Sequence, residues 1–251
     1  MGLSFRYYAR GFWKYSQEGF RDPWLAWHYL IYGNRKATRL QVKRVAETLG
    51  YQAKDLEQYY TYPELRQLQL HISEALRGTH FSGVGAAGED FYVMLRMLTP
   101  EIVVETGVAS GVSTAFILKA LEDNNQGTLY SIDYPWRELD EEFPFPEGKE
   151  PGFVIPEYLR RRWILKVGKS KDILPNLLNE LGRVDVFLHD SEHTYENMMF
   201  EYSTAWGYLS RGGLLLSHDT DWNSAFSDFH KKAGGKSFAL YFRGGVGAII
   251  K

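Results

Sequence analysis

At 251 residues the chain has room for one α/β domain with a smaller appendage, but not for two unrelated full domains. Its 29 Lys+Arg against 31 Asp+Glu leave a formal net charge of -2, so neither a global field nor a long basic run recruits nucleic acid. The absence of cysteine excludes disulfides, thiolate metal sites and a cysteine nucleophile, and no window reaches the ~18–20 continuous apolar residues of a membrane span. With no apolar signal-peptide core at the N-terminus either, the sequence reads as a soluble, cytoplasmic protein.

In chain order, residues 5–33 mix aromatic and basic residues and read as short helices. Their rings bury against the domain or a second subunit, cap a ligand site, or lie on a membrane surface; burial is the simplest of these readings. Apolar residues at helical spacing predict helices over 39–50 and 62–76, and a glycine-rich turn leads into a further helix that stops near Pro100. Residues 1–80 thus form a helical N-terminal extension or cap, and 81–251 a Rossmann-like domain. From Glu101 strands alternate with helices: IVVET, GTLYSID, RWILKVG, VDVFLHD and GGLLLSHD are the strands, and 112–122, 171–181, 195–209 and 222–232 the helices. Two β-type runs around Arg243-Gly244-Gly245 close the chain as a hairpin. Residues 134–161 hold five of the nine prolines where a helix is expected, and read as a long loop or lid.

The stretch VVETGVASGVST (103–114) is a glycine loop between strand and helix. A dinucleotide site wants G-x-G-x-x-G, whereas here Gly107 is followed by Gly111, with Ala109 where the second close glycine would stand. The pattern E-x-G-x-x-x-G-x-S instead suits a ligand with an ammonium and a carboxylate. Glu105 is placed to take part in holding the cation, while free N–H groups at the helix start meet the anion. Asp133, ending the next strand, can accept both hydroxyls of a ribose.

Together with YSID, VGKSKDILPNL, VFLHDSEHTYE and GGLLLSHDT, in that order and spacing, this loop resembles the class I S-adenosylmethionine-dependent methyltransferases. The likeness is narrower to O-methyltransferases of the catechol O-methyltransferase type and their relatives acting on sugars and natural products. It implies an α/β, three-layer, doubly wound and mostly parallel seven-stranded sheet with an antiparallel last strand. It also implies S-adenosylmethionine as cofactor: Glu105, Gly107 and Ser113 border the methionine part, with Ser110 and Gly111 in the same loop. Asp133 would border the ribose, Ser170 and Lys171 the adenine, and Asp190 is counted with the cofactor-facing residues.

His189, Asp190 and His193 fall at one strand end and His218 and Asp219 at its neighbour, on the side where open parallel sheets bind ligands. In metal-dependent relatives an acid at the first end and an adjacent pair at the second hold magnesium; Asp190, His218 and Asp219 stand at the matching positions. An imidazole favours manganese, iron or zinc over magnesium. A base near neutral pKa must take the acceptor proton, and His193 is the first choice, with His218 the substitute. His189 is expected to point inward from its strand, and Asp185 and Glu196 to be solvated or capping.

The expected activity is therefore O-methyl transfer to a small hydroxylated acceptor, a sugar, natural product or phenol, assisted by a divalent metal. The rival readings are a nucleotide-dependent oxidoreductase on the same sheet and a non-catalytic, membrane-peripheral cofactor-binding module. A homo-oligomer is compatible with either.

Overall fold

The computed structural model describes residues 33–52, 54, 56–79, 87–134, 146–241 and 245–251. The aromatic stretch before Gly33, the glycine-rich turn at 81–86, the first half of the proline-rich interval and the hairpin tip at 242–244 lie outside the described residues.

Three helices open the fold: α1 (Asn34–Thr48), α2 (Leu56–Tyr60) and α3 (Pro63–Ala75). They are followed by α4 (Gly88–Leu98), β1 (Ile102–Thr106), α5 (Val112–Asp123) and β2 (Thr128–Asp133). A 3-10 helix at Glu157–Arg162 leads into β3 (Trp163–Val167), then α6 (Ser170–Leu181), β4 (Val184–His189) and α7 (Tyr195–Tyr208). The chain ends with β5 (Leu209–Ser217), α8 (Ala225–Ala233), β6 (Lys236–Tyr241) and β7 (Val246–Ile250). The strand order is β3-β2-β1-β4-β5-β7-β6. The first five strands run parallel, and β7 alone is antiparallel to both neighbours, as expected for the last strand.

Side-chain alternation along the central strands divides the core into two layers. Val103, Val186, Leu188, Leu214, Leu216 and Ile250 face the apolar stripes of α4 and α5. Val104, Phe187, Leu215 and Ile249 face those of α6, α7 and α8. Because both faces of the sheet are covered, its strands read as continuous apolar runs, and the loops at their carboxyl ends are left to carry chemistry. The predicted helix at 222–232 starts later, at Ala225, after an irregular turn in which the Asn223 Oδ1 accepts the Ala225 N–H at 2.9 Å. Helix α1 begins earlier than its spacing predicts and stops at Thr48.

Helices α1 to α3 contribute Val42, Leu56, Leu65 and Ile72 to the same buried cluster as Phe91 and Val103. Polar links tie this region to the far edge of the sheet, among them Lys236 Nζ donating to Thr48 Oγ1 at 2.9 Å. Thr38 Oγ1 donates to the Leu240 carbonyl, and Asp90 in α4 accepts from Tyr60 in α2, at 2.6 Å, and from Tyr241 in β6. The described half of the proline-rich interval is packed rather than loose: Val154, Ile155 and Leu159 are buried, and Arg161 and Arg162 both pair with Glu122 of α5.

Asp90 is only 4% exposed, and burial pushes its carboxyl up to about 6 from the ordinary 3.8, against the pull of the Tyr241 and Tyr60 hydrogen bonds. The folded state thus binds this proton more tightly than the unfolded chain does. Its contribution, about 3 kcal/mol at most, is fully present below the unfolded pKa and lost as pH rises through the folded one. Urea unfolding at about pH 4 and about pH 7 should show the wild type losing roughly 2–3 kcal/mol relative to Asp90→Asn. Parallel pH profiles for the two proteins would mean that Asp90 titrates normally.

Candidate functional site

The glycine loop leaves β1 at Thr106 and enters α5 at Val112. Gly107 has φ +85°, and a Cβ there would lie 2.0 Å from the Asp190 carbonyl oxygen, so the turn passes too close to the end of β4 for any side chain. Gly111, at φ +93°, similarly abuts the Cα of Gly152, 2.6 Å from where its own Cβ would be. The proline-rich interval clasps the loop here, with Gly152 N donating to Ala109 O at 2.9 Å and Val154 N to Ser110 O at 3.1 Å. Ser110 is buried beneath that clasp. No side chain caps the start of α5, which leaves its amide dipoles directed at the crevice.

Glu105 is fully buried. Its carboxylate accepts from Ser113 Oγ (3.2 Å), Thr114 Oγ1 (2.9 Å) and Ser131 Oγ (2.8 Å), and Ser131 in turn accepts from Trp163 Nε1 at 2.9 Å. Burial pushes its pKa up to about 8 despite the three hydroxyl donors, with the charge of Asp190 adding to the rise. Unliganded, Glu105 is mostly a neutral acid that fixes the first turn of α5; a neighbouring ammonium would restore its charge. Asp133 is 5% exposed, and its Oδ1 accepts from Val108 N at 3.2 Å while its Oδ2 is buried without a partner. Burial raises its pKa, opposed by the amides of Val108, Ala109 and Tyr134. Ser170 opens α6 and leans towards Asn197 at 3.5 Å, and Lys171 is exposed on the same turn.

At the ends of β4 and β5 the structure brings Asp190, His193 and Asp219 together. His193 Nε2 lies 3.3 Å from Asp219 Oδ2 and 3.7 Å from Asp190 Oδ1. One ligand atom from each of the three lies within 4.8 Å of the others, the one such group among the described residues. Burial lowers the His193 pKa, but the neighbouring carboxylates Asp190 and Asp219, with Glu201 behind them, outweigh it and raise it. Asp219 is itself shifted up, by burial first, and its φ of 50° is a left-handed conformation that a non-glycine residue holds at some cost.

His218 is not part of that group. Its amide continues the sheet ladder to His189 O at 2.9 Å, its ring stands edge-on to Phe91 at 5.4 Å, and its Nε2 is buried without a partner. His189 points inward as expected. Its Nδ1 lies 2.6 Å from Glu201 Oε2, both side chains being fully buried. Glu201 also accepts from Thr106 Oγ1 (2.5 Å), Ser191 Oγ (2.7 Å) and Asn197 Nδ2 (3.1 Å), so one carboxylate ties together the ends of β1 and β4 and the loop carrying Asp190 and His193. Burial alone would raise the Glu201 pKa; His189, Ser170 and Thr106 together hold it below the ordinary range. Asp185, expected to be solvated or capping, accepts from the amides of Glu101 and Ile102 and anchors the start of β1, while Glu196 is exposed in the first turn of α7.

Glu201 and Trp222 were not anticipated from sequence. For Glu201 a signal existed: it falls within the stripe Met198, Tyr202 and Ala205 on the buried face of α7, and an acid on an apolar helical stripe demands an internal partner. Trp222 offered none. Its indole lies 5.4 Å from the His193 ring on an irregular turn.

A family model described as "Methyltransferase domain" matches residues 104–220. The curated proteins contain no match. Among solved structures, the O-methyltransferase TomG from Streptomyces achromogenes, involved in tomaymycin synthesis and bound to SAM, is 18% identical, with TM-score 0.53 over 74% of this chain and 90% of that one. The SAH-bound methyltransferase PaMTH1 from Podospora anserina is 15% identical, with TM-score 0.53 over 73% and 86% of the two chains. Cofactor-bound Rv0187 from MTB is 16% identical, with TM-score 0.51 over 75% and 89%. Residues 104–220 are thus similar to a methyltransferase domain, and the chain shares the fold of these cofactor-, SAH- and SAM-bound structures.

Proposed function

We propose that this protein transfers a methyl group from S-adenosylmethionine to a hydroxyl of a small acceptor, a sugar, natural product or phenol, with a divalent cation held by Asp190, His193 and Asp219. The observation that carries the reading is Asp133. A carboxylate 5% exposed, with Oδ1 satisfied by the glycine loop and Oδ2 bare, is incomplete without a donor, and ribose hydroxyls supply one. The O-methyltransferase TomG, which shares the fold, is bound to SAM. The spacing of Gly107 and Gly111 continues to disfavour a nucleotide-dependent oxidoreductase. The aromatic stretch on which a membrane-peripheral module would depend lies outside the described residues, and no described helix is long and apolar enough to cross a membrane.

Bound in the crevice, the sulfonium supplies the methyl group, which forms a bond to the acceptor oxygen as its bond to sulfur breaks. The glycine loop, the bare start of α5 and Asp133 orient that donor, and the Glu105 carboxyl beside α5 becomes charged when an ammonium approaches. Ligand atoms around one divalent cation stand about 3–4 Å apart, close to the separations in the Asp190–His193–Asp219 group. A cation there lowers the pKa of an acceptor hydroxyl. In this arrangement His193 becomes a ligand, and His218, adjacent in sequence and unpartnered at Nε2, is left to take the acceptor proton. The two histidines thus exchange the roles that chain position alone suggested for them. A site with two carboxylates and one imidazole suits manganese, cobalt or zinc better than magnesium.

Calorimetry with S-adenosylhomocysteine should give saturable binding to the wild type, weakened about 10–100-fold in Asp133→Ala as charge-assisted hydrogen bonds are lost. No binding to the wild type would reject the cofactor reading. Electron paramagnetic resonance should show Mn²⁺ bound by the wild type and by His218→Asn but not by His193→Asn. Turnover in His218→Asn should fall about 100-fold. Full turnover in a strong chelator, or Mn²⁺ retained by His193→Asn, would remove the metal from the proposal.

A further inference from the structure

Resting on the methyltransferase reading above, we propose that Trp222 is the platform against which the acceptor's ring lies, which makes the acceptor a flat or saddle-shaped ring carrying a hydroxyl rather than an acyclic alcohol. The indole is 57% exposed, although the residues around it are fixed. Trp222 N donates to Asp219 O at 3.0 Å, closing the turn that swings Asp219 into the cation group. Thr220 donates to Gly245 O through both N (2.6 Å) and Oγ1 (2.7 Å), pinning the same turn to the start of β7. On the other side Asn223 Nδ2 donates to the His193 carbonyl at 3.0 Å and Oδ1 accepts from Ala225 N at 2.9 Å. Every residue from Asp219 to Asn223 except Asp221 therefore serves the geometry in one of these bonds, Trp222 through its backbone N–H, and the Trp222 side chain presents a large apolar surface outward.

Its position gives that surface a use. The indole lies 5.4 Å from the His193 ring at an interplanar angle of 37°, and His193 is 3.3 Å from Asp219. A molecule whose hydroxyl reaches the Asp190–His193–Asp219 group along the His193 ring lays the atoms next to that hydroxyl beside the indole. An exposed indole attracts ring faces through dispersion and its negative π-face, whether the ring is aromatic or the C–H face of a pyranose. An acyclic polyol presents no such face. The loop pairs Trp222 with the cation group through one rigid turn, so the stacked ring and the reacting oxygen are held in register.

The test uses full-length protein saturated with S-adenosylhomocysteine and three probes: 3,4-dihydroxybenzoate, methyl β-glucopyranoside and 1,2-propanediol. The expected result is tryptophan quenching by one of the two ring probes and none by the diol. Quenching should vanish in Trp222→Leu with affinity reduced about tenfold, while Trp222→Phe, which keeps a ring face, retains most of the affinity. Which ring probe quenches assigns the acceptor to the phenols or to the sugars. The proposal is overturned if neither ring probe binds, or if affinity is the same in Trp222→Leu, in protein that still binds S-adenosylhomocysteine normally. Loss of S-adenosylhomocysteine binding in the wild type would instead overturn the methyltransferase reading itself.

Discussion

The carboxyl ends of β1 and β4 are locked together by peptide groups, with no side chain between them. Asp190 N donates to Thr106 O at 2.8 Å across the two ends, any Cβ at position 107 would overlap the Asp190 carbonyl, and Gly107 N donates to Ile132 O of the neighbouring β2 at 2.8 Å. This contact brings the glycine loop to within one peptide of Asp190, so the two sides of the crevice share a wall. Beneath it, Thr106 and His189 from the same two strand ends both meet the buried Glu201, and α7, which carries Glu201, begins at the Thr194 cap that closes the loop through Asp190 and His193. Rigid strands, a side-chain-free turn and one buried carboxylate therefore set the positions of all the groups that face the ligand.

The parts of this arrangement that depend on periodicity were legible in the sequence. Continuous apolar runs such as VDVFLH gave strands covered on both faces, helical stripes gave α5 to α7 nearly to the residue, and the acids at strand ends were placed in the crevice by the topology of an open parallel sheet. The partition of histidines was not legible, and the reason is one backbone torsion. His218 still follows the ladder of β5, which turns its ring to the α4 side against Phe91, whereas the left-handed φ of 50° at Asp219 redirects the chain so that Asp219 meets His193. Side-chain type does not encode that reversal: Asp and Asn tolerate it, but they do not require it. Trp222 follows the same turn and was hidden for the same reason.

The packed half of the proline-rich interval shows a second limit of local reading. Prolines and acids argue for a loop, and residues 146–156 contain no regular element, yet Val154 and Ile155 are as buried as strand residues and the backbone is bonded to the glycine loop. Irregular backbone can be buried where its amides find partners, here Ala109 O and Ser110 O. The interval is thus a structural support for the glycine loop along this part of its length.

Electrostatics gives the crevice its preference for ligands. Glu105, Asp133 and Asp219 are each shifted upward, by burial first, and in all three the charge of Asp190 adds to the shift. The charge of Asp190 thus acts on acids from β1, β2 and β5 around a single crevice, opposed at Asp219 by His193 and His218, while Glu201, paired with His189, is held charged behind them. On the proposed reading, such a set would gain from positive charge in two separate places, the cofactor's cationic groups on the Glu105 side and a metal ion between Asp190 and Asp219. Because Asp190 acts on all three neighbours, charge supplied at either place lowers the cost of ionising the acids at the other. Under the proposed function the two ligands would therefore be coupled through the acid they share, with no movement of the fold.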